Sequence, residues 1–172
     1  MRNLIWMIGI VALLLGCTSK EQKELMKSFE KEKTYHQNLQ KTEKTQLYDG
    51  EVTKAMLTAT YLFTKTKDKN DTRDEKFIVG VYVEEGEVRP FLNEGYSLTL
   101  NDNAPKSIVR LNEGNTLLKS ISFASEWSQF YLITFPHVKS TSFKLIFKSS
   151  IYGKGELNFA KVSKYVLTGE AL

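Results

Sequence analysis

The chain is written in period two from about residue 57 onward, and that alternation constrains its fold more than any other feature. Leu57, Ala59, Tyr61 and Phe63 alternate with Thr58, Thr60, Leu62 and Thr64. Successive side chains on a strand point to opposite faces, so such a run is a strand with one side on a core. Phe77, Val79, Val81 and Val83 repeat the pattern until Glu84-Glu85-Gly86-Glu87 closes it. Tyr96, Leu98 and Leu100 make a third strand, ended by Asn101-Asp102-Asn103-Ala104-Pro105. Ile108 to Leu111 is a short fourth, stopped by Asn112-Glu113-Gly114-Asn115, and Leu117 to Phe123 is expected as a fifth. Trp127 to Phe135 follows, with Tyr131, Ile133 and Phe135 on one face and Pro136-His137 as its stop. Phe143, Leu145 and Phe147 come next, with Lys144 and Lys148 opposite. Gly153-Lys154-Gly155 then turns the chain into Leu157 to Val162, which Tyr165 to Leu167 extends.

Short strands at regular spacing, separated by turn signals and without helical segments between them, argue against a parallel α/β sheet. They predict a mainly β chain: an antiparallel β-sandwich of about seven or eight strands, with a small β-barrel as the alternative. The high aromatic content and few prolines are those of a folding chain, and residues 47–172 are long enough for one domain with a real core.

The other end of the chain follows a different rule. Met1-Arg2-Asn3 carries one positive charge, and Leu4 to Leu15 carries none. A membrane-spanning helix needs about 20 apolar residues, so this run is short for a span and has the form of an export signal. It ends in Leu14-Leu15-Gly16-Cys17, which resembles the lipobox of bacterial lipoproteins; Leu15 departs from the Ala, Ser, Thr or Val more often found there. The resemblance covers only the first 17 residues. It implies that the thiol of Cys17 is diacylated, that residues 1–16 are removed as a signal peptide, and that the new amino terminus is acylated. Cys17 is the only cysteine, so no intramolecular disulfide competes for it. Two or more acyl chains hold a protein stably where one holds it only marginally. The expected location is therefore the bacterial cell envelope. In Gram-negative members of the family this segment resembles, an Asp after the cysteine is associated with inner-membrane retention, so by that resemblance Thr18 implies the outer membrane, facing the periplasm or the surface.

Residues 17–46 are expected as a lipidated tether. They are rich in Lys, Glu, Gln and Thr and contain no Gly or Pro. Leu25, Phe29, His36 and Leu39 share one helical face, a narrow stripe that predicts a helix fraying after Thr34. Such a weakly patterned helix is marginal alone in water, so a flexible spacer and a partial helix docked on the domain both remain open.

The sequence offers little to catalysis. A catalytic site needs convergent nucleophile, base or metal ligands, and only His36 and His137 are present. No G-x-S-x-G context accompanies them, and His137 reads first as an exposed turn residue. Asp68 to Glu75 places oxygen ligands at alternate positions, but Lys69 and Arg73 interrupt them and a calcium loop's glycine is missing. A solvated loop is the better reading, with no metal or cofactor. The net charge of +4 is mild and mixed, which gives no nucleic-acid footprint.

Three residues stand out as weak binding candidates: Trp127, Lys144 and Lys148. Large aromatics at strand starts in β domains are more often core, and lysines on an outward strand face more often serve solubility or protect an edge. Residues 67–113 carry a net −3 and residues 114–172 a net +4, so the domain would be electrically polar if those halves formed separate faces. The expected function is a non-enzymatic binding or assembly module, held at the membrane by lipid on Cys17 and meeting an envelope protein partner. The alternative is a carrier or sensor that encloses an apolar ligand in a barrel.

Overall fold

In a computed structural model, residues 20–64, 66, 70–84, 91 and 95–161 are described. Cys17, the run from Leu4 to Leu15, and Tyr165 to Leu167 lie outside them. Among the described residues a helix, α1 (Lys20–Gln40), precedes eight strands: β1 (Thr42–Asp49), β2 (Val52–Tyr61), β3 (Glu75–Val83), β4 (Tyr96–Leu100), β5 (Ser107–Leu111), β6 (Gln129–Phe135), β7 (Ser142–Ser149) and β8 (Gly153–Ala160). They form an antiparallel five-stranded sheet in the order β1-β2-β3-β6-β5 and an antiparallel three-stranded sheet in the order β4-β7-β8. The chain is mainly β, as the alternation predicts, and the two separate sheets make it a sandwich rather than a closed barrel.

The inward residues are the apolar half of each alternation. Leu57, Ala59 and Tyr61 lie opposite Val81, Val79 and Phe77 across β2 and β3. Leu98 and Leu100 lie opposite Phe147 and Leu145, and Leu145 and Phe143 opposite Leu157 and Phe159. All of these are buried in one core between the sheets. Its centre is aromatic. Phe77 stacks on Tyr61 at a centroid distance of 4.9 Å and meets Phe135 edge-on at 5.9 Å, both on its own sheet. From the opposite sheet it meets Phe159 at 5.1 Å and Phe143 at 6.2 Å, both edge-on. Such offset and T-shaped pairs are the arrangements that ring quadrupoles favour.

Three departures from the sequence expectation have physical causes. Leu117 to Phe123 is not a strand: Thr116–Ser120 is a 3-10 helix, capped where the Asn115 side chain accepts a hydrogen bond from Leu117 N at 3.0 Å. Leu118 and Ile121 cover Ile78, Leu111 and Phe130, making a second apolar layer on the outer face of the large sheet. The sheet begins at Thr42, inside the segment expected as tether; β1 pairs with β2 along its length but buries only Leu47, so no apolar alternation announces it. Finally, α1 continues past Thr34 to Gln40. Its end is fixed by Lys41 N and Thr42 Oγ1 donating to Asn38 O at 3.0 and 2.7 Å, while Asn38 Nδ2 donates to Ser120 O at 3.0 Å. Nearer the start of α1, Leu25 is exposed. Among the described residues no helix is long and apolar enough to cross a membrane.

Strands β1 and β8 come together without a hydrogen-bonded ladder, and the contact depends on a glycine. A β-carbon at Gly155 would lie 2.1 Å from Thr45 Oγ1 and 3.0 Å from Thr45 Cβ. Overfilling a packed site costs about 1–3 kcal/mol. Gly155→Ala should therefore lower stability by about that amount, and adding Thr45→Ala should restore part of it. Urea unfolding of the two single variants and the double variant measures the coupling. Simple additivity would contradict the close approach.

Candidate functional site

Two places gather polar chemistry: a buried ionic cluster at one end of the sandwich and an open corner where β5 and β6 part.

The cluster is built on Glu75, which is 3% exposed at the start of β3. A buried carboxylate is costly unless its oxygens are satisfied, and here three other chain segments supply the partners. Tyr61 Oη, from the end of β2, donates to Glu75 Oε2. Val138 N donates to Oε1 at 3.0 Å, and Lys161 Nζ, just after β8, stands 2.6 Å from the same oxygen. Lys161 Nζ also donates to Val138 O. His137 Nδ1 lies 3.5 Å from Glu75 Oε1 and 3.0 Å from the Arg73 carbonyl. Burial pushes the Tyr61 hydroxyl well above its ordinary pKa of 10.0, reinforced by its hydrogen bond to Glu75 and by the charge there. His137 is thus a half-buried member of this cluster, not an exposed turn residue. Sequence reasoning missed Glu75, Tyr61 and Lys161, because distant positions meet only when four elements converge. The one local signal is that Glu75 occupies an inward position in register with Phe135.

The neighbouring acidic loop is held by cations of the chain itself. Arg73 Nε and Nη2 donate to the two Asp71 oxygens, each at 2.8 Å, and Lys106 Nζ lies 2.6 Å from Asp74. Hydrogen bonds from Arg73 hold the Asp71 carboxyl well below the usual range. Among the described residues, no group of three His, Cys, Asp or Glu side chains is placed to hold a metal ion.

The corner is made by topology. Strands β5 and β6 pair as far as Leu111 opposite Phe130, and residues 112–128 then leave the ladder to carry the 3-10 helix over the sheet. Where the strands part, a concavity of about 640 Å³ opens, lined by Arg110, Glu113, Glu126, Trp127 and Gln129 among others. Trp127 is 80% exposed. It is neither core nor part of the strand, since β6 starts at Gln129. It sits in a turn closed by Ser128 N donating to Ser125 O at 3.2 Å, with the Ser125 and Ser128 hydroxyls 3.1 Å apart. Behind it, Tyr131 Oη donates to Gln129 Oε1 at 2.8 Å and so fixes that side chain.

Lys144 and Lys148 both lie on the outer face of the small sheet, on its central strand β7 rather than on an edge. Lys148 is in register with Lys154, and Glu156 draws in Lys144 at 2.8 Å and Lys154 at 3.0 Å. Hydrogen bonding to Glu156 raises the Lys144 pKa and lowers that of Glu156. Part of the expected basic surface is therefore neutralised. The acidic and basic stretches of sequence do not form opposite faces either: β4, from the acidic stretch, pairs with basic β7, while β6 joins β3 and β5 in the other sheet. The structure does not bring Trp127 into the same sheet as the two lysines.

The chain matches no protein-family model, and neither curated proteins nor solved structures contain a significant match.

Proposed function

We propose that this chain is a non-catalytic envelope lipoprotein, anchored by acyl chains on Cys17, whose β-sandwich is a binding module working through the corner at Trp127. The observation that carries the binding reading is the indole itself: 80% exposed, on a hydrogen-bonded turn, at the rim of a concavity of about 640 Å³. Exposed large aromatics on fixed supports are common anchors for partners, because burying one releases much apolar surface from water at little conformational cost.

Two further observations favour this reading over its rivals. The rings of Tyr61, Phe77, Phe143 and Phe159 interlock between the sheets, where a carrier would need space for its ligand. Among the described residues, the one convergence of carboxylate, imidazole and amine is centred on Glu75, which is 3% exposed and engaged by the partners that hold four segments together. That arrangement suits structure better than turnover.

The anchor rests on the resemblance of Leu14-Leu15-Gly16-Cys17 to a lipobox. Cys17→Ser should leave an unprocessed precursor or release the protein from the membrane fraction, read by fractionation and mass. Membrane retention at the mature, processed mass would sink the anchor.

A further inference from the structure

We infer that the concavity at the β5–β6 corner takes a neutral saccharide, with one pyranose ring lying on the Trp127 indole. This rests on the binding-module reading and names the chemical class of the ligand.

The volume, about 640 Å³, falls within the range of small-molecule sites. Its lining is mostly polar: Arg110 and Gln129 supply donors, Glu113 and Glu126 supply acceptors, and Trp127 supplies the one exposed flat apolar surface, Leu111 and Phe130 also lining it but being buried. An apolar ligand such as a lipid tail would strip water from these charged and amide groups and offer no hydrogen bonds in return. A simple anion would meet two carboxylates against one guanidinium. A simple cation would use the indole face and the carboxylates but would meet Arg110 in the same space. A sugar ring has neither conflict. Each hydroxyl both donates and accepts, so adjacent hydroxyls can donate to Glu113 or Glu126 and accept from Arg110. The axial C–H groups of a pyranose make one face apolar, and that face matches an indole.

The site is also held in advance, which cuts the entropy lost on binding. The turn bearing Trp127 is closed by the hydrogen bond from Ser128 N to Ser125 O, and Tyr131 Oη holds the Gln129 side chain. Arg110 lies on β5 in register with Tyr131 of β6, so its backbone belongs to the sheet and not to a loose loop.

Isothermal titration calorimetry on the full-length protein in detergent tests the inference. The neutral probes are the β-1,4-linked tetramer of N-acetylglucosamine, cellotetraose and maltotetraose; tetralysine and dextran sulfate are the charged ones. At least one neutral probe should bind saturably, with a dissociation constant of about 0.1–1 mM. Trp127→Ala should weaken that binding at least about tenfold, and Glu113→Gln with Glu126→Gln should weaken it comparably, with melting temperatures unchanged. The inference is overturned if no neutral probe saturates by about 10 mM, if a charged probe binds at the corner in their place, or if Trp127→Ala leaves saccharide affinity intact. Failure here with continued capture of an envelope component at Trp127 would remove the saccharide and leave the binding module standing.

Discussion

Glu75→Ala should be among the most damaging single substitutions in this chain, lowering stability by about 3–5 kcal/mol. The reason is what the missing carboxylate leaves behind. The Lys161 ammonium, 16% exposed at its side chain, would lose the anion 2.6 Å away. The Val138 amide and the Tyr61 hydroxyl would lose their acceptors, and an unsatisfied buried donor costs about 1–3 kcal/mol. For a domain of this size the loss corresponds to a fall in melting temperature of roughly 10–20 °C. Glu75→Gln keeps an acceptor oxygen and the shape while removing the charge, so it should cost less than Glu75→Ala. Glu75→Ala with Lys161→Met removes both charges together and should recover part of the loss, since a buried pair exchanged for apolar groups is often near neutral. Thermal unfolding followed by circular dichroism reads all three. Equal losses for Glu75→Ala and the double variant would contradict the pairing of Lys161 with Glu75.

Phe77→Ala should have an effect of similar size, also about 3–5 kcal/mol, by a different route. Phe77 is fully buried, and its ring touches rings from both sheets: Tyr61 and Phe135 on its own, Phe143 and Phe159 on the other. Truncation loses the transfer energy of the ring and opens a void, and the void term grows with how poorly the neighbours can collapse. Here the neighbours are flat rings held by β ladders on two sheets, which leaves them little freedom to move in. The loss should therefore sit in the upper part of the range, with Phe77→Leu much milder. Trp127→Ala is the natural contrast. It removes a larger ring that is 80% exposed, so its effect on stability should stay within about 0.5 kcal/mol. Urea denaturation of the two alanine variants checks the pair, and comparable losses would contradict the division between core and presented aromatics.

How far these features were legible in the sequence depends on whether they are local. The strands were readable because inward residues recur every second position: Phe143, Leu145 and Phe147 announce β7 without help from anything distant. β1 was not readable, because its inward positions include Thr45, which packs where Gly155 leaves room, and only Leu47 carries the apolar signal. Leu117 to Phe123 misled because an apolar run says that a segment is buried but not in which conformation. The run forms a second layer over Ile78 and Phe130, and the Asn115 cap in front of it was the local clue to a turn of helix.

The same division applies to the sites. Trp127 could be singled out by type, but its exposure follows from where β6 begins, two residues later. The alternation places Lys144 and Lys148 on one strand face, yet the ion pairs that Glu156 makes with Lys144 and Lys154 come from the register of β7 with β8. The Glu75 cluster joins residues up to 100 positions apart, from Tyr61 to Lys161, and no spacing in the sequence could have grouped them.

The proposed role is tested most directly by photocrosslinking in intact envelopes. A benzophenone side chain is placed at Asn112, an exposed residue that lines the same corner, and in a separate protein at Ile151, which is 77% exposed in the turn between β7 and β8. A binding module working through this corner should give mass-shifted adducts from position 112, lost when Trp127→Ala is added, and few from position 151. Adducts that are equal at the two positions, or that persist at position 112 without the indole, would contradict it.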